Sequence, residues 1–173
     1  TVSISVASFV PKPFTPFQWE AQDTREQLIE KQNHLLSCVK TRKINVSYHK
    51  VDISFLEGVF ARGDRRLGKV IEHAWKNGCK FDSWDDSFHF DTWLESFEQC
   101  GIDPLFYSSR KRSFDEILPW DHLDYGIRKE FLVGENKKAH ENETTPHCRI
   151  KCAGCGANRL NGGNCDAMRK SMV

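Results

Sequence analysis

The side chains with the clearest capacity for chemistry sit near the end of the chain, in Pro146-His147-Cys148-Arg149-Ile150-Lys151-Cys152-Ala153-Gly154-Cys155-Gly156. Three thiols in a short glycine-containing stretch can converge on one metal ion or cluster. Arg149 and Lys151 beside them favour the thiolate form. Thiolates are soft ligands that suit zinc or iron–sulfur centres. A structural zinc site needs four ligands, and the candidates for the fourth are Cys165, across the Asn161-Gly162-Gly163 turn, and His147. The expected metal ligands are therefore Cys148, Cys152, Cys155 and Cys165. The chain has seven cysteines, with Cys38, Cys79 and Cys100 scattered singly. Scattered singles plus one cluster fit a reducing, cytoplasmic setting with a metal site better than a disulfide framework.

Two further segments mix acids, imidazoles and aromatics. Residues 79 to 93 hold Phe81, Asp82, Trp84, Asp85, Asp86, His89 and Trp93, and residues 120 to 125 read Trp120-Asp121-His122-Leu123-Asp124-Tyr125. An aspartate can orient an imidazole for proton transfer. The same groupings also serve as helix caps and aromatic plugs. Arg110-Lys111-Arg112 is a short basic run, but the net charge of +1 argues against nucleic-acid binding driven by overall charge. No apolar run is long enough to span a bilayer.

The elements that must carry these residues follow from periodicity. Val2-Ser3-Ile4-Ser5-Val6 alternates at period two and reads as a strand. A strand needs neighbours, and this one opens the sequence at Thr1. The chain is therefore expected to be the C-terminal piece of a larger protein. Pro11, Pro13 and Pro16 exclude helix and central strand, so residues 10 to 19 read as a stiff, extended loop with exposed aromatics. Thr24 and Gln27 form a capping box for a helix from about 24 to 41. Ile44, Val46 and Tyr48 mark a second strand. From Phe55 onward the apolar stripes are helical, with breaks at Gly63-Asp64, Gly78 and Gly101, a turn capped by Ser113, and a last helix from 126 to 141. The predicted fold is thus strand–loop–helix–strand, the end of an α/β sheet or barrel, followed by a mainly α-helical extension.

The spacing Cys-x3-Cys-x2-Cys equals that of the cluster motif in radical S-adenosylmethionine (SAM) enzymes, but there the motif follows the first barrel strand. Here no strand–helix units come after it, so an accessory zinc or auxiliary iron–sulfur site is the expected use. A broader likeness covers nearly the whole chain. Its residues are Ser8-Phe9-Val10-Pro11-Lys12-Pro13 with Thr15-Pro16-Phe17-Gln18-Trp19, and the run from Phe55 through Arg62-Gly63-Asp64-Arg65-Arg66-Leu67-Gly68. It continues in Gly78-Cys79-Lys80-Phe81-Asp82, Gly101-Ile102-Asp103-Pro104, Leu118-Pro119-Trp120-Asp121-His122, Lys129-Glu130-Phe131-Leu132 and Thr144-Thr145-Pro146. In these stretches the sequence resembles the C-terminal region of the B12-binding-domain-containing radical SAM protein family.

That resemblance implies that residues 1–52 end a radical SAM barrel, 53–142 form a helical extension and 143–173 a cysteine-rich tail. It implies a parent enzyme with a [4Fe–4S] cluster, SAM and cobalamin, all held upstream, whose missing N-terminal part is this chain's partner. Lys12 and Gln18 are then expected near SAM or substrate. Where the family carries a further cysteine soon after the third, this chain has Asn158, and Cys165 comes later. The alternative from a different class is a non-enzymatic zinc module contacting RNA through Arg110, Lys111 and Arg112, or contacting a protein.

Overall fold

The computed structural model describes residues 1 to 162. Among them the chain is an α/β protein with one two-stranded parallel sheet and six α-helices. The order is β1 (Val2–Val6), α1 (Arg25–Cys38), β2 (Ile44–Tyr48), α2 (Val51–Ala61), α3 (Leu67–Lys76), α4 (Phe90–Gln99), α5 (Leu105–Ser108) and α6 (Lys129–His140). The chain divides into two compact units. The first holds residues 1–11 and 20–111, and the second holds 12–19 together with the chain from 112 onward.

In the first unit β1 and β2 pair in parallel, Val2 against Ile44 through Val6 against Tyr48. Parallel neighbours need a crossover, and α1 is in it. The capping box forms in full: the Thr24 hydroxyl accepts from the Gln27 backbone N–H (3.3 Å), and Gln27 Oε1 accepts from the Thr24 N–H (2.9 Å). Two orphan donors of the first turn are thereby satisfied. The pair is uncovered on its faces. Val2, Ile4 and Tyr48 are 58%, 38% and 44% exposed, and only Leu28 of α1 is buried. Parallel sheets ordinarily have both faces covered.

The core of this unit is built by the helices. α2 packs against α1 and α5, and α3 packs against α4. Phe55, Val59, Val70, Trp93, Phe97 and Tyr107 are buried together. α2 starts four residues before its apolar stripe, at Val51, where Asp52 lies in the first turn and accepts from Arg25 Nε at 2.8 Å. An acid there also complements the helix dipole. Gly58 sits where α2 meets Gln22: a Cβ would lie 2.0 Å from Gln22 Oε1. The Gln22 amide is held in place by donating to the Ser54 carbonyl at 2.8 Å. Arg62, fully buried at the end of α2, donates to the carbonyls of Ser108 (2.7 Å) and Arg110 (2.9 Å). The short α5, which no sequence stripe announced, is thus tied to α2 through backbone acceptors.

In the second unit Trp19, Leu118, Trp120 and Leu132 form the core, with Phe14, Phe114 and Ile127 packed on it. The loop 10 to 19 is free of helix and strand, as its prolines require, but it folds through turns and is not simply extended. Its aromatics divide: Phe17 is exposed, whereas Trp19 is fully buried and edge-on to Phe114 at 5.0 Å. The expected exposure of the aromatics is corrected at Trp19. The Ser113 turn forms, with the Ser113 hydroxyl accepting from the Asp115 N–H at 3.3 Å. α6 begins at Lys129, three residues later than expected from 126.

The α2–α3 corner carries a titratable lock. Arg66 grips both carboxylate oxygens of Asp64 (2.7 to 3.1 Å), and the Arg66 N–H and the Tyr107 hydroxyl also donate to it. The Arg66 side chain foremost, then these donors, holds the Asp64 pKa at about 2, against an ordinary 3.8. The folded-state value is depressed, so the stabilisation is complete above the unfolded value and is lost as pH falls through the folded one. Urea-unfolding midpoints of the wild type and Asp64→Asn should therefore differ most above about pH 4 and converge between about pH 4 and 2. A gap unchanged across that window would contradict the assignment.

Candidate functional site

The structure places the two expected polar contacts of the proline loop differently. Lys12 is exposed. Gln18 is 3% exposed and sits in the core of the second unit. Its Oε1 accepts from the Phe14 backbone N–H (3.0 Å) and from Trp120 Nε1 (2.7 Å), a partner 102 residues away in sequence. Phe14 adopts a left-handed backbone, φ 58°, which is uncommon for a bulky residue, and its ring stacks on Tyr125 at 4.5 Å. Gln18, Phe14, Trp120, Leu123, Ile127 and Leu132 line a cavity of about 220 Å³, with Asp121 and Lys129 at its polar side. Lys12 does not line it. The sequence likeness singled out Gln18, but Phe14 and Trp120 as its partners arise only from the fold.

Asp121 serves as a cap and an ion-pair partner. Its carboxylate accepts from the Leu118 N–H (3.0 Å) and from Lys129 Nζ (3.3 Å), and Lys129 also donates to the Glu116 carbonyl (3.4 Å). In the first unit Asp82 accepts from Trp93 Nε1 (3.3 Å) and Asp85 pairs with Lys50 (2.7 Å). Neither His89 nor His122 is hydrogen-bonded through its ring to an aspartate among the described residues. The acid–aromatic segments therefore act as caps and plugs, and no acid-oriented imidazole is assembled there. The basic run is engaged internally as well: Arg110 lies over Phe106 (4.5 Å), Lys111 pairs with Glu20 (3.2 Å), and Arg112 is buried over Trp120 (5.3 Å).

The cysteine segment is anchored through Arg128. Its backbone N–H donates to the Cys155 carbonyl (2.9 Å), and its guanidinium donates to the Gly154 carbonyl. Gly154 and Gly156 both take positive φ, 68° and 94°. At Gly156 a Cβ would meet Arg128 Cγ at 2.8 Å and the Gly126 carbonyl at 2.9 Å, so only glycine lets the segment lie this close. Cys148 and Cys152 are exposed and Cys155 is half-buried. The His147 Nδ1 accepts from the Arg149 N–H at 3.1 Å. Among the described residues no three histidine, cysteine or acidic side chains stand together as a metal-holding group. Cys165, the expected fourth ligand, lies outside the described residues. Cys148, Cys152 and Cys155 supply donors of suitable chemistry, but among the described residues they do not converge on one point. No helix among the described residues is long and apolar enough to cross a membrane.

The chain has no significant match to any family model, curated protein or solved structure.

The Arg128 tether makes a direct prediction. Arg128→Ala removes the guanidinium bond to Gly154 but keeps the backbone bond to Cys155. Amide exchange in residues 152 to 156 should quicken by about tenfold, in line with one lost charged hydrogen bond of about 1.5 kcal/mol, while α3 and α4 stay unchanged. Exchange in 152 to 156 equal to the wild type would show that the tether does not hold the segment.

Proposed function

We propose that this chain is the C-terminal part of a radical SAM enzyme with a cobalamin-binding domain upstream. In this reading β1, α1 and β2 are the last strand–helix–strand portion of the barrel, and the helices after them are an extension that helps wall the substrate site. The observation that carries the reading is the uncovered parallel pair. Two parallel strands with apolar side chains exposed on one face fit a larger parallel sheet, in which further strands and helices would cover them. Covering the apolar surface that Val2, Ile4 and Tyr48 still expose would be favourable. The sequence likeness supplies the rest: the proline loop, the run around Arg62-Gly63-Asp64 and the segment Leu118-Pro119-Trp120-Asp121-His122 together resemble the family.

The loop from residue 7 to 24 follows the C-terminal end of β1. In β/α barrels such loops build the active site, which supports Gln18 and Lys12 as residues near SAM or substrate. When bound, SAM at a reduced [4Fe–4S] cluster supplies a radical, with cobalamin as partner cofactor; both are held by the upstream part. We further propose that Cys148, Cys152 and Cys155 complete an accessory zinc or iron–sulfur site with Cys165 or His147. The chemistry of the donors supports this, as does the anchoring of the segment by Arg128. Arg110, Lys111 and Arg112 have internal partners, so nothing favours the RNA-binding alternative. A cytoplasmic location belongs to the same proposal.

The test uses the product of the whole reading frame, purified anaerobically with cobalamin supplied. The expected result is stoichiometric cobalamin, about four iron atoms for the radical SAM cluster, and additional zinc or iron that is lost when Cys148, Cys152 and Cys155 are replaced by serine. A product with neither cobalamin nor iron would end the enzyme reading. Zinc or iron contents unchanged by the triple replacement would end the accessory-site proposal alone.

A further inference from the structure

The carboxamide of Gln18 is oriented by its neighbours. Both groups that meet its Oε1, the Phe14 N–H and the Trp120 indole N–H, are donors. An amide nitrogen cannot face two donors, so the oxygen must point at them and Nε2 must point away. The side chain is 97% buried, the complement of its 3% exposure, with no protein acceptor for Nε2 among the described residues, yet Nε2 itself is not sealed in the core. The cavity that Gln18 lines is where an acceptor can stand. The backbone beside it is also strained: Phe14 holds its left-handed conformation and is bonded through its N–H to the same carboxamide. Strain of this kind clusters at ligand clamps.

The size and charge of the cavity narrow the ligand. At about 220 Å³ it is smaller than the roughly 300–1,000 Å³ pockets that take drug-sized molecules. Its walls are aromatic and aliphatic, and its one ion pair, Asp121 with Lys129, is internally balanced. An anion would face the Asp121 carboxylate, and Lys129, the cation among the described lining residues, is already paired with it. The geometry points to a binding site for a small neutral molecule that presents a carbonyl-type oxygen to Gln18 Nε2 and rests its planar or apolar body between Phe14, Trp120, Ile127 and Leu132. This inference stands on the second unit alone and does not rest on the cofactor reading above. The cofactor analysis and the following titration can each fail without the other.

Benzamide and toluene serve as probes of near-equal size, one with the carbonyl and one without. In the ¹⁵N-labelled chain, benzamide should shift the assigned Gln18 carboxamide and Trp120 indole signals saturably, with toluene binding at least about tenfold more weakly, the ratio given by one hydrogen bond of about 1.4 kcal/mol. Gln18→Glu keeps an oxygen for Phe14 and Trp120 but replaces the donor with an acceptor, and should weaken benzamide by about tenfold or more. If that variant does not fold, the wild-type titration decides. The proposal is overturned if benzamide leaves both signals unmoved, or if toluene binds as tightly as benzamide.

Discussion

A parallel pair of strands cannot bury its own faces or satisfy its own outer edges. This constraint governs the whole reading of the chain. β1 and β2 exchange backbone hydrogen bonds in register, yet the side chains that alternate on them remain largely exposed. Helix α1 leaves Ile29 and Leu36 exposed in the same way. The helices from α2 to α5 contrast with this. They bury a continuous aromatic and aliphatic core and use the buried Arg62 guanidinium to satisfy carbonyls of the α5 segment. One part of the first unit supplies its own packing, and the other leaves apolar side chains exposed.

The second unit is discontinuous, and its small size makes individual polar contacts matter. The residues between Lys12 and Trp19 join the chain from Arg112 onward. Trp19 supplies the buried ring, the Trp19 carbonyl accepts from the Arg112 N–H at 2.8 Å, and the Pro16 carbonyl accepts from Asn136 at 2.9 Å. Gln18 adds the bond to Trp120. A loop whose prolines forbid regular structure is thus fixed by side-chain and backbone donors from distant sequence, and the cavity beside Gln18 is a product of that arrangement.

The local elements were legible where a local rule determines them. The alternation from Val2 to Val6 and from Ile44 to Tyr48, the Thr24–Gln27 capping box, and the stops at Gly78 and Gly101 each follow from a few adjacent residues. What escaped depends on distance. The burial of Trp19 could not be read from a stretch rich in proline, because Phe114, its ring partner, comes 95 positions later by residue number (114 minus 19). The short α5 lacks a stripe of its own and is held by Arg62. The start of α2 at Val51 reflects an ion pair with Arg25 across 27 positions. At the cysteines the spacing is plain in the sequence, but convergence on a metal is a property of the backbone path. Gly154, Gly156 and Arg128 show how that path is constrained between Cys152 and Gly156.

The central claim is that β1 and β2 belong to a larger parallel sheet. Amide hydrogen exchange of residues 2 to 6 and 44 to 48, compared between this chain and the product of the whole reading frame, tests it most directly. The account predicts that the outward-facing amides exchange rapidly in this chain and slow by about a hundredfold or more in the longer protein, where new strands pair with them. Exchange at the same rate in both would contradict it.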